Sequence, residues 1–113
     1  MLFRSMAERW VDAGTVICRQ GDPGDELYFV SKGDIDVIKT KDGTERVVAT
    51  VGVGACLGEM SVIGNIPRTA TLRARSNALL LVISGSHFQD ELSKNPKMAL
   101  KLLNLLVRRL TSE

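Results

Sequence analysis

The sequence lacks the long apolar run, about 20 consecutive residues, that a membrane-spanning helix needs. Its start, Met1-Leu-Phe-Arg4, also lacks the charged and then apolar layout of a secretory signal. A net charge of +2, with the basic residues scattered, does not indicate a nucleic acid or an acidic membrane surface as a partner. The sequence therefore predicts a cytoplasmic chain that binds neither nucleic acid nor membrane.

Metal-ligating side chains are scarce, since the chain has one histidine, His87, and two cysteines, Cys18 and Cys56. The cysteines are too far apart for a Cys-x-x-Cys site and too few for a disulfide framework. We expect both thiols to be buried and reduced, with a redox switch or an unanticipated disulfide bridge as the alternatives. We expect no metal, and no enzyme, because no Ser-His-Asp, Cys-His or paired-carboxylate arrangement is evident.

The chain does have many short β-type segments separated by turn residues. In residues 35–39 apolar and polar side chains nearly alternate, as in a sheet with one wet face, and Lys41-Asp42-Gly43 suits a hairpin loop. Many short strands with turns between them predict an antiparallel sandwich or rolled barrel. Strands are predicted at 10–11, 15–19, 26–30, 35–39, 45–51, 69–74 and 78–83.

The 113 residues fit one domain, with helices predicted at both ends. Residues 1–9 are predicted as an N-terminal helical remnant, residues 10–84 as the β-roll and residues 85–113 as C-terminal helices. Ser86 to Gln89 fits a capping box for a helix that ends near Leu92.

The last predicted helix runs from Lys97 to about Leu110 and has a broad apolar face. An apolar face too wide for one packing partner indicates that the helix contacts the β-roll on one side. On the other side it would contact a homodimer partner, an effector domain or the ligand. Covering the open face of a single domain is an equally weighted alternative.

One stretch, from Gly54 to Thr71, has the residue types of an anionic-ligand pocket. Gly58 lets the backbone approach a bound group, and the first amides of a short helix after it suit a phosphate. Glu59 would repel that phosphate, so we expect it to face neutral hydroxyls such as those of a ribose. Pro67 stiffens the turn before Arg68, whose planar fork suits a phosphate. A sugar and a phosphate together indicate a nucleotide.

Gly58-Glu59-Met60-Ser61 followed by Pro67-Arg68-Thr69-Ala70-Thr71 resembles the phosphate-binding cassette of the cyclic-nucleotide-binding domain family. Residues 21–33 resemble the family's glycine-bounded second motif. The family includes the catabolite activator protein sensor domain, the regulatory subunits of cAMP-dependent kinase and the tails of cyclic-nucleotide-gated channels. The sequence departs at Cys56-Leu57, where many members have an aromatic residue, and we expect this to alter packing more than ligand chemistry.

The resemblance implies a mainly β fold, an antiparallel jelly-roll-like β-roll with short helices at the N-terminus, in the cassette and at the C-terminus. It also implies that Arg68 pairs with the cyclic phosphate and that Glu59 accepts the ribose 2′-hydroxyl. A solvated surface arginine and a glutamate that merely stabilises a helix dipole are the alternatives. The implied ligand-binding residues are Gly58, Glu59, Met60, Ser61, Arg68, Thr69 and Ala70.

The residues that would contact the nucleobase are less well defined than those that would contact the phosphate. Thr69 offers a hydroxyl to the phosphate or to a guanine. It is equally well explained as a β-branched residue of a strand without ligand contact. The choice between cAMP and cGMP therefore stays open. The apolar side of the base pocket is assigned to Val48, Val51 and Leu57. Arg108 and Arg109 either stack on the base or complement the helix dipole.

The resulting hypothesis is a non-enzymatic sensor domain that binds a cyclic purine mononucleotide, cAMP or cGMP, and relays binding through its C-terminal helix without a cofactor. The alternative is a nucleotide-independent docking or dimerisation module with a degenerate pocket. The intact pair of Glu59 and Arg68 counts against that alternative.

Overall fold

The computed structural model describes residues 7–97, 100 and 101 of the chain. Within them, eight strands form two four-stranded antiparallel sheets, and two helices follow strands of the roll. No helix of this described part is long and apolar enough to cross a membrane. The strands are β1 (Ala7–Val11), β2 (Val16–Cys18), β3 (Glu26–Lys32), β4 (Ile35–Lys41), β5 (Thr44–Val51), β6 (Cys56–Leu57), β7 (Thr71–Ala74) and β8 (Ala78–Ser84), and the helices are α1 (Glu59–Gly64) and α2 (Gly85–Lys94).

The strand order is β1-β8-β3-β6 in the first sheet and β2-β7-β4-β5 in the second. Apart from the β4–β5 hairpin, neighbours in each sheet are distant in sequence, so the chain crosses repeatedly between the sheets and rolls them around a shared core. The predicted antiparallel β-roll is confirmed. Its buried cluster consists of Tyr28, Val30, Ile35, Leu57, Leu72, Ala74, Ala78, Leu80 and Val82.

A second buried cluster lies where the helices meet the first sheet. It joins Leu27 and Ile83 of the sheet to Val62 of α1 and Phe88 of α2, and it includes Cys56. The cysteine therefore occupies apolar space below the cassette.

The predicted helix over residues 1–9 is wrong at its end. Ala7 to Arg9 belong to β1, which pairs antiparallel with β8, placing Arg9 opposite Leu80. Because β8 is an apolar central strand, pairing along its free edge outweighs the weak helical tendency of a short segment. Residues 1–6 of that prediction lie outside the described residues.

Strand β6 was not predicted from the sequence. Cys56 and Leu57 stand in a glycine-rich segment that suggests only a loop, yet they pair with Phe29 and Tyr28 of β3. Both side chains are buried. Neither Cys18 nor Cys56 forms a disulfide within the described residues. Cys18 is half-buried, which raises the pKa of its thiol because burial disfavours the thiolate.

The predicted capping box of Ser86 and Gln89 is also wrong, because α2 already begins at Gly85. The hydroxyl of Ser84 accepts a hydrogen bond from the amide of His87 at 3.4 Å, which satisfies one of the free amides at the start of the helix. Most of the predicted last helix, from Lys97 to Leu110, lies outside the described residues.

Candidate ligand-binding site

Arg68 is the buried centre of the candidate site, with 6% of its surface exposed. Its Nη2 donates to the carbonyl oxygen of Glu26 at 2.8 Å, and its Nη1 donates to that of Gly58 at 3.3 Å. One carbonyl belongs to the start of β3 and the other precedes α1. The guanidinium therefore connects the roll to the cassette.

The main chain of Arg68 is fixed as firmly as its side chain. Its amide donates to the carbonyl oxygen of Asp22, and its own carbonyl accepts from the amide of Gly21, each at 2.8 Å. The loop after β2 is thus bonded to the arginine on both sides. These bonds fix the backbone from which the Arg68 side chain extends.

One nitrogen of this buried cation has no partner. The Nε of Arg68 is fully buried without a hydrogen bond, and no described carboxylate forms an ion pair with the side chain. A buried cation without a counter-ion is costly unless an anion neutralises it. This arrangement fits a site for a negatively charged ligand.

Gly24 brings the loop after β2 close to the unpartnered nitrogen. A Cβ on this glycine would lie 2.8 Å from the Nε of Arg68 and 2.5 Å from the Cβ of Ser61. Only a glycine lets the loop approach the arginine so closely. The glycine-bounded motif contains this loop, but the sequence did not predict this contact.

Helix α1 begins beside the guanidinium. Its N-cap residue, Gly58, has a φ of 87°, and no side chain caps the first turn. The amides of that turn carry the positive end of the helix dipole and favour an anion. Arg68 and the start of α1 therefore offer positive charge and free amides to the same small region.

Tyr28 lies under the guanidinium, with the Cζ of Arg68 5.4 Å from the ring centroid. The Tyr28 hydroxyl donates to Oε1 of Glu26 at 3.1 Å and lies 3.5 Å from Nη2 of Arg68. Burial, followed by the charge of Glu26, raises the pKa of Tyr28 to about 12. At neutral pH the hydroxyl is therefore protonated and donates a hydrogen bond to the carboxylate.

The structure brings together several of the predicted residues. Gly58, Ser61 and Arg68 converge at the start of α1, and Ser61 is 3% exposed. Ala70 is buried, whereas Thr69 is exposed and its carbonyl accepts a hydrogen bond from Lys39. The side chains of Glu59 and Met60 lie outside the described part of the structure, although their backbone forms the first turn of α1.

The residues assigned to the base pocket do not share one surface. Leu57 is buried in the core of the roll and Val51 packs against that core. Val48 instead lines an open cleft of about 550 Å³ on the β4–β5 hairpin, together with Lys39, Lys41, Asp42, Thr44 and Arg46. Arg108 and Arg109 lie outside the described residues.

Sequence reasoning missed Tyr28, Gly24 and Lys39 as parts of the site. The first two stand within the glycine-bounded motif at residues 21–33, so the motif marked the segment without revealing which side chains reach the arginine. No sequence pattern indicated Lys39, because its hydrogen bond to the carbonyl oxygen of Thr69 depends on how β4 packs beside the cassette.

The fold is similar to those of known proteins. A catabolite activator protein from Thermus thermophilus superposes with a TM-score of 0.89 at 31% identity, covering 98% of this chain and 53% of that one. The regulatory domain of Toxoplasma gondii PKA, co-crystallised with cAMP, superposes with a TM-score of 0.74 at 37% identity, covering 76% of this chain and 33% of that one.

Sequence comparison agrees with the structural one. A cyclic nucleotide-gated potassium channel of Mesorhizobium japonicum is 39% identical over 98 residues, which are 87% of this chain and 26% of the channel. The chain thus spans about a quarter of the length of the curated relatives that it matches. Residues 8–95 match the family described as "Cyclic nucleotide-binding domain". The chain therefore belongs to the cyclic nucleotide-binding domain family.

Proposed function

We propose that this domain is a non-enzymatic sensor of a cyclic purine mononucleotide, cAMP or cGMP, with Arg68 as the phosphate anchor. The observation that carries the proposal is the buried guanidinium with its unpartnered Nε beside the uncapped start of α1. A cyclic phosphate brings one negative charge and exposed oxygen acceptors, which match both features. The cAMP in the co-crystal of the similar PKA regulatory domain supports this class of ligand.

The remaining cassette residues are assigned the roles that the family resemblance implies. The amides of Met60 and Ser61, in the first turn of α1, donate to the phosphate, and the small Ala70 leaves room for it. Glu59 accepts a hydrogen bond from the ribose 2′-hydroxyl, which predicts weaker binding of 2′-deoxy analogues. Thr69 is exposed and free to contact either the phosphate or the base.

Binding is relayed from α1 to α2. The side chain of Gln89 donates from Nε2 to the carbonyl oxygen of Val62 at 2.8 Å, which ties the two helices together. A Cβ on Gly85 would lie 3.2 Å from Cγ1 of Val62, so α2 begins in close contact with α1. A ligand shifts the position of this helix pair only as far as it prefers one arrangement over the other.

Calorimetric titration of the purified chain with cAMP, cGMP and 5′-AMP tests the proposal. We expect a saturable signal with at least one cyclic nucleotide and binding at least about tenfold weaker for 5′-AMP, because an open phosphate has another shape and charge. Incubation with the bound nucleotide should release no 5′-nucleotide.

Equal and feeble signals for all three ligands would contradict the proposal and favour a docking module. Sedimentation at several protein concentrations, with and without nucleotide, distinguishes the two functions. A docking module associates to the same extent in both conditions, whereas a sensor responds to the ligand.

A further inference from the structure

We propose that Tyr28 is a positioning residue for Arg68, and that the Glu26 carboxylate orients the Tyr28 hydroxyl for this role. The inference rests on the proposed function, because it concerns how the phosphate anchor is held. It adds two side chains to the site that the cassette motif does not contain.

Glu26 contacts this group twice, through two different atoms. Its carbonyl oxygen accepts from Nη2 of Arg68 at 2.8 Å, and its Oε1 accepts from the Tyr28 hydroxyl at 3.1 Å. A phenolic hydroxyl has one proton to donate. Because the proton points to Glu26, the oxygen lone pairs are left to face Nη2 of Arg68, 3.5 Å away.

The hydroxyl matters because a long arginine side chain has many rotamers. The ring of Tyr28 supports the guanidinium from one side, and its hydroxyl restricts rotation about the last side-chain bonds. Together with the two backbone carbonyls, these contacts leave only Nε unpartnered, close to Gly24. The nitrogen left over is therefore the one nearest the loop of the glycine-bounded motif.

Arg9 forms an ion pair with the carboxylate of Glu26. Its Nη2 lies 3.3 Å from Oε2 of Glu26, which keeps the carboxylate turned so that Oε1 meets Tyr28. Arg9 belongs to β1, at the edge of the first sheet. The series Arg9, Glu26, Tyr28 and Arg68 thus connects an edge strand to the phosphate anchor through hydrogen-bonded side chains.

The first test is Tyr28→Phe, titrated with cAMP by calorimetry. Phenylalanine keeps the buried ring and removes only the hydroxyl, so we expect the melting temperature to change little. Binding should weaken about three- to tenfold, which is the effect of losing one modest hydrogen bond that orients a charged group.

Two variants of Glu26 separate the carboxylate's charge from its role as an acceptor. Glu26→Ala and Glu26→Gln both remove the charge and the ion pair with Arg9, but glutamine keeps an oxygen that accepts from Tyr28. We expect Glu26→Ala to weaken cAMP binding about as much as Tyr28→Phe, and Glu26→Gln to restore most of the affinity. Glu45→Ala, which removes the carboxylate of the exposed Arg73 pair, is the matched control and should leave affinity unchanged.

The double variant Tyr28→Phe/Glu26→Ala identifies the order of the contacts. If Glu26 acts through Tyr28, the double variant binds cAMP no more than about twofold weaker than Tyr28→Phe alone. Losses that add in full would overturn the proposal, as would unchanged affinity in Tyr28→Phe.

A readout without ligand keeps this inference separate from the proposed function. The side-chain Nε–H resonance of Arg68 should be sharp in the wild type and in Glu26→Gln, and broadened by side-chain rotation in Tyr28→Phe and Glu26→Ala. Should the wild type bind neither cAMP nor cGMP, the sensor function fails while this spectrum still tests the positioning. Should it bind cAMP and all variants give the same sharp resonance, the positioning is wrong and the sensor function stands.

Discussion

Replacing Arg68 with leucine is expected to weaken binding of the cyclic nucleotide by about ten- to a hundredfold. A charge-assisted hydrogen bond contributes about 1.5–3 kcal/mol, and a buried guanidinium next to free amides lies at the upper end of that range. The leucine variant retains apolar contact but offers the phosphate neither charge nor donors. Calorimetry with cAMP and cGMP, side by side with the wild type, measures the loss.

Two further variants show whether the effect belongs to this arginine. Arg73→Leu removes an arginine from the neighbouring strand β7, where it pairs with Glu45 at 3.4 Å, and should leave affinity within about twofold of the wild type. Arg68→Lys keeps the charge but loses the planar fork, so its affinity should fall between those of wild type and Arg68→Leu. If the Arg68→Leu protein melts normally and binds the nucleotide as tightly as the wild type, Arg68 is not part of the site.

Gly58→Ala is expected to lower the free energy of unfolding by about 2–4 kcal/mol and to abolish measurable nucleotide binding. Gly58 has a φ of 87°, where an alanine is strained. Its new Cβ would also stand 2.4 Å from Nη1 of Arg68 and 2.8 Å from the carbonyl oxygen of Glu26. The guanidinium and the start of α1 must therefore separate. Urea denaturation and calorimetry measure the two effects.

Gly54→Ala is the matched control for this substitution. Gly54 has a φ of 93°, and a Cβ there would meet no atom within 4 Å. It therefore carries the backbone strain without the collision and should cost about 1–2 kcal/mol of stability, with cAMP affinity retained. If Gly54→Ala reduces affinity as much as Gly58→Ala, the loss reflects general destabilisation and not displacement of Arg68.

The sequence predicted the larger strands well because their patterns are local. Residues 35–39 nearly alternate between apolar and polar, and the strand observed there extends to Lys41. By contrast, β1 and β6 exist because a partner strand is available, and neither Ala7–Arg9 nor Cys56–Leu57 has a pattern of its own. Pairing across the sheet is a tertiary effect that a local pattern does not contain.

In the site, too, local sequence patterns predicted some features, and tertiary contacts determine the others. The glycine, the arginine and the helical turn of the cassette follow from residue types and their spacing, and the structure brings Gly58 and Arg68 together. The partners that hold the arginine were not predictable. Two of its contacts are to backbone carbonyls, which every residue has, so no residue type in the sequence indicated that Glu26 supplies one of them. The hydroxyl of Tyr28 is likewise a contact created only when β3 passes beneath the cassette.

The second buried cluster has a consequence for how the domain opens. Val62 and Phe88 are buried in it with Leu27 and Ile83, while the cluster that fills the roll is made of other residues. The two helices therefore share their apolar support with each other, so fraying of one exposes the other. Hydrogen–deuterium exchange of the amides in α1 and α2, corrected for their intrinsic exchange rates, should give one common free energy of opening, lower than that of the central strands β3 and β8. In such an experiment the helix pair would melt as one cooperative unit while the roll stays folded.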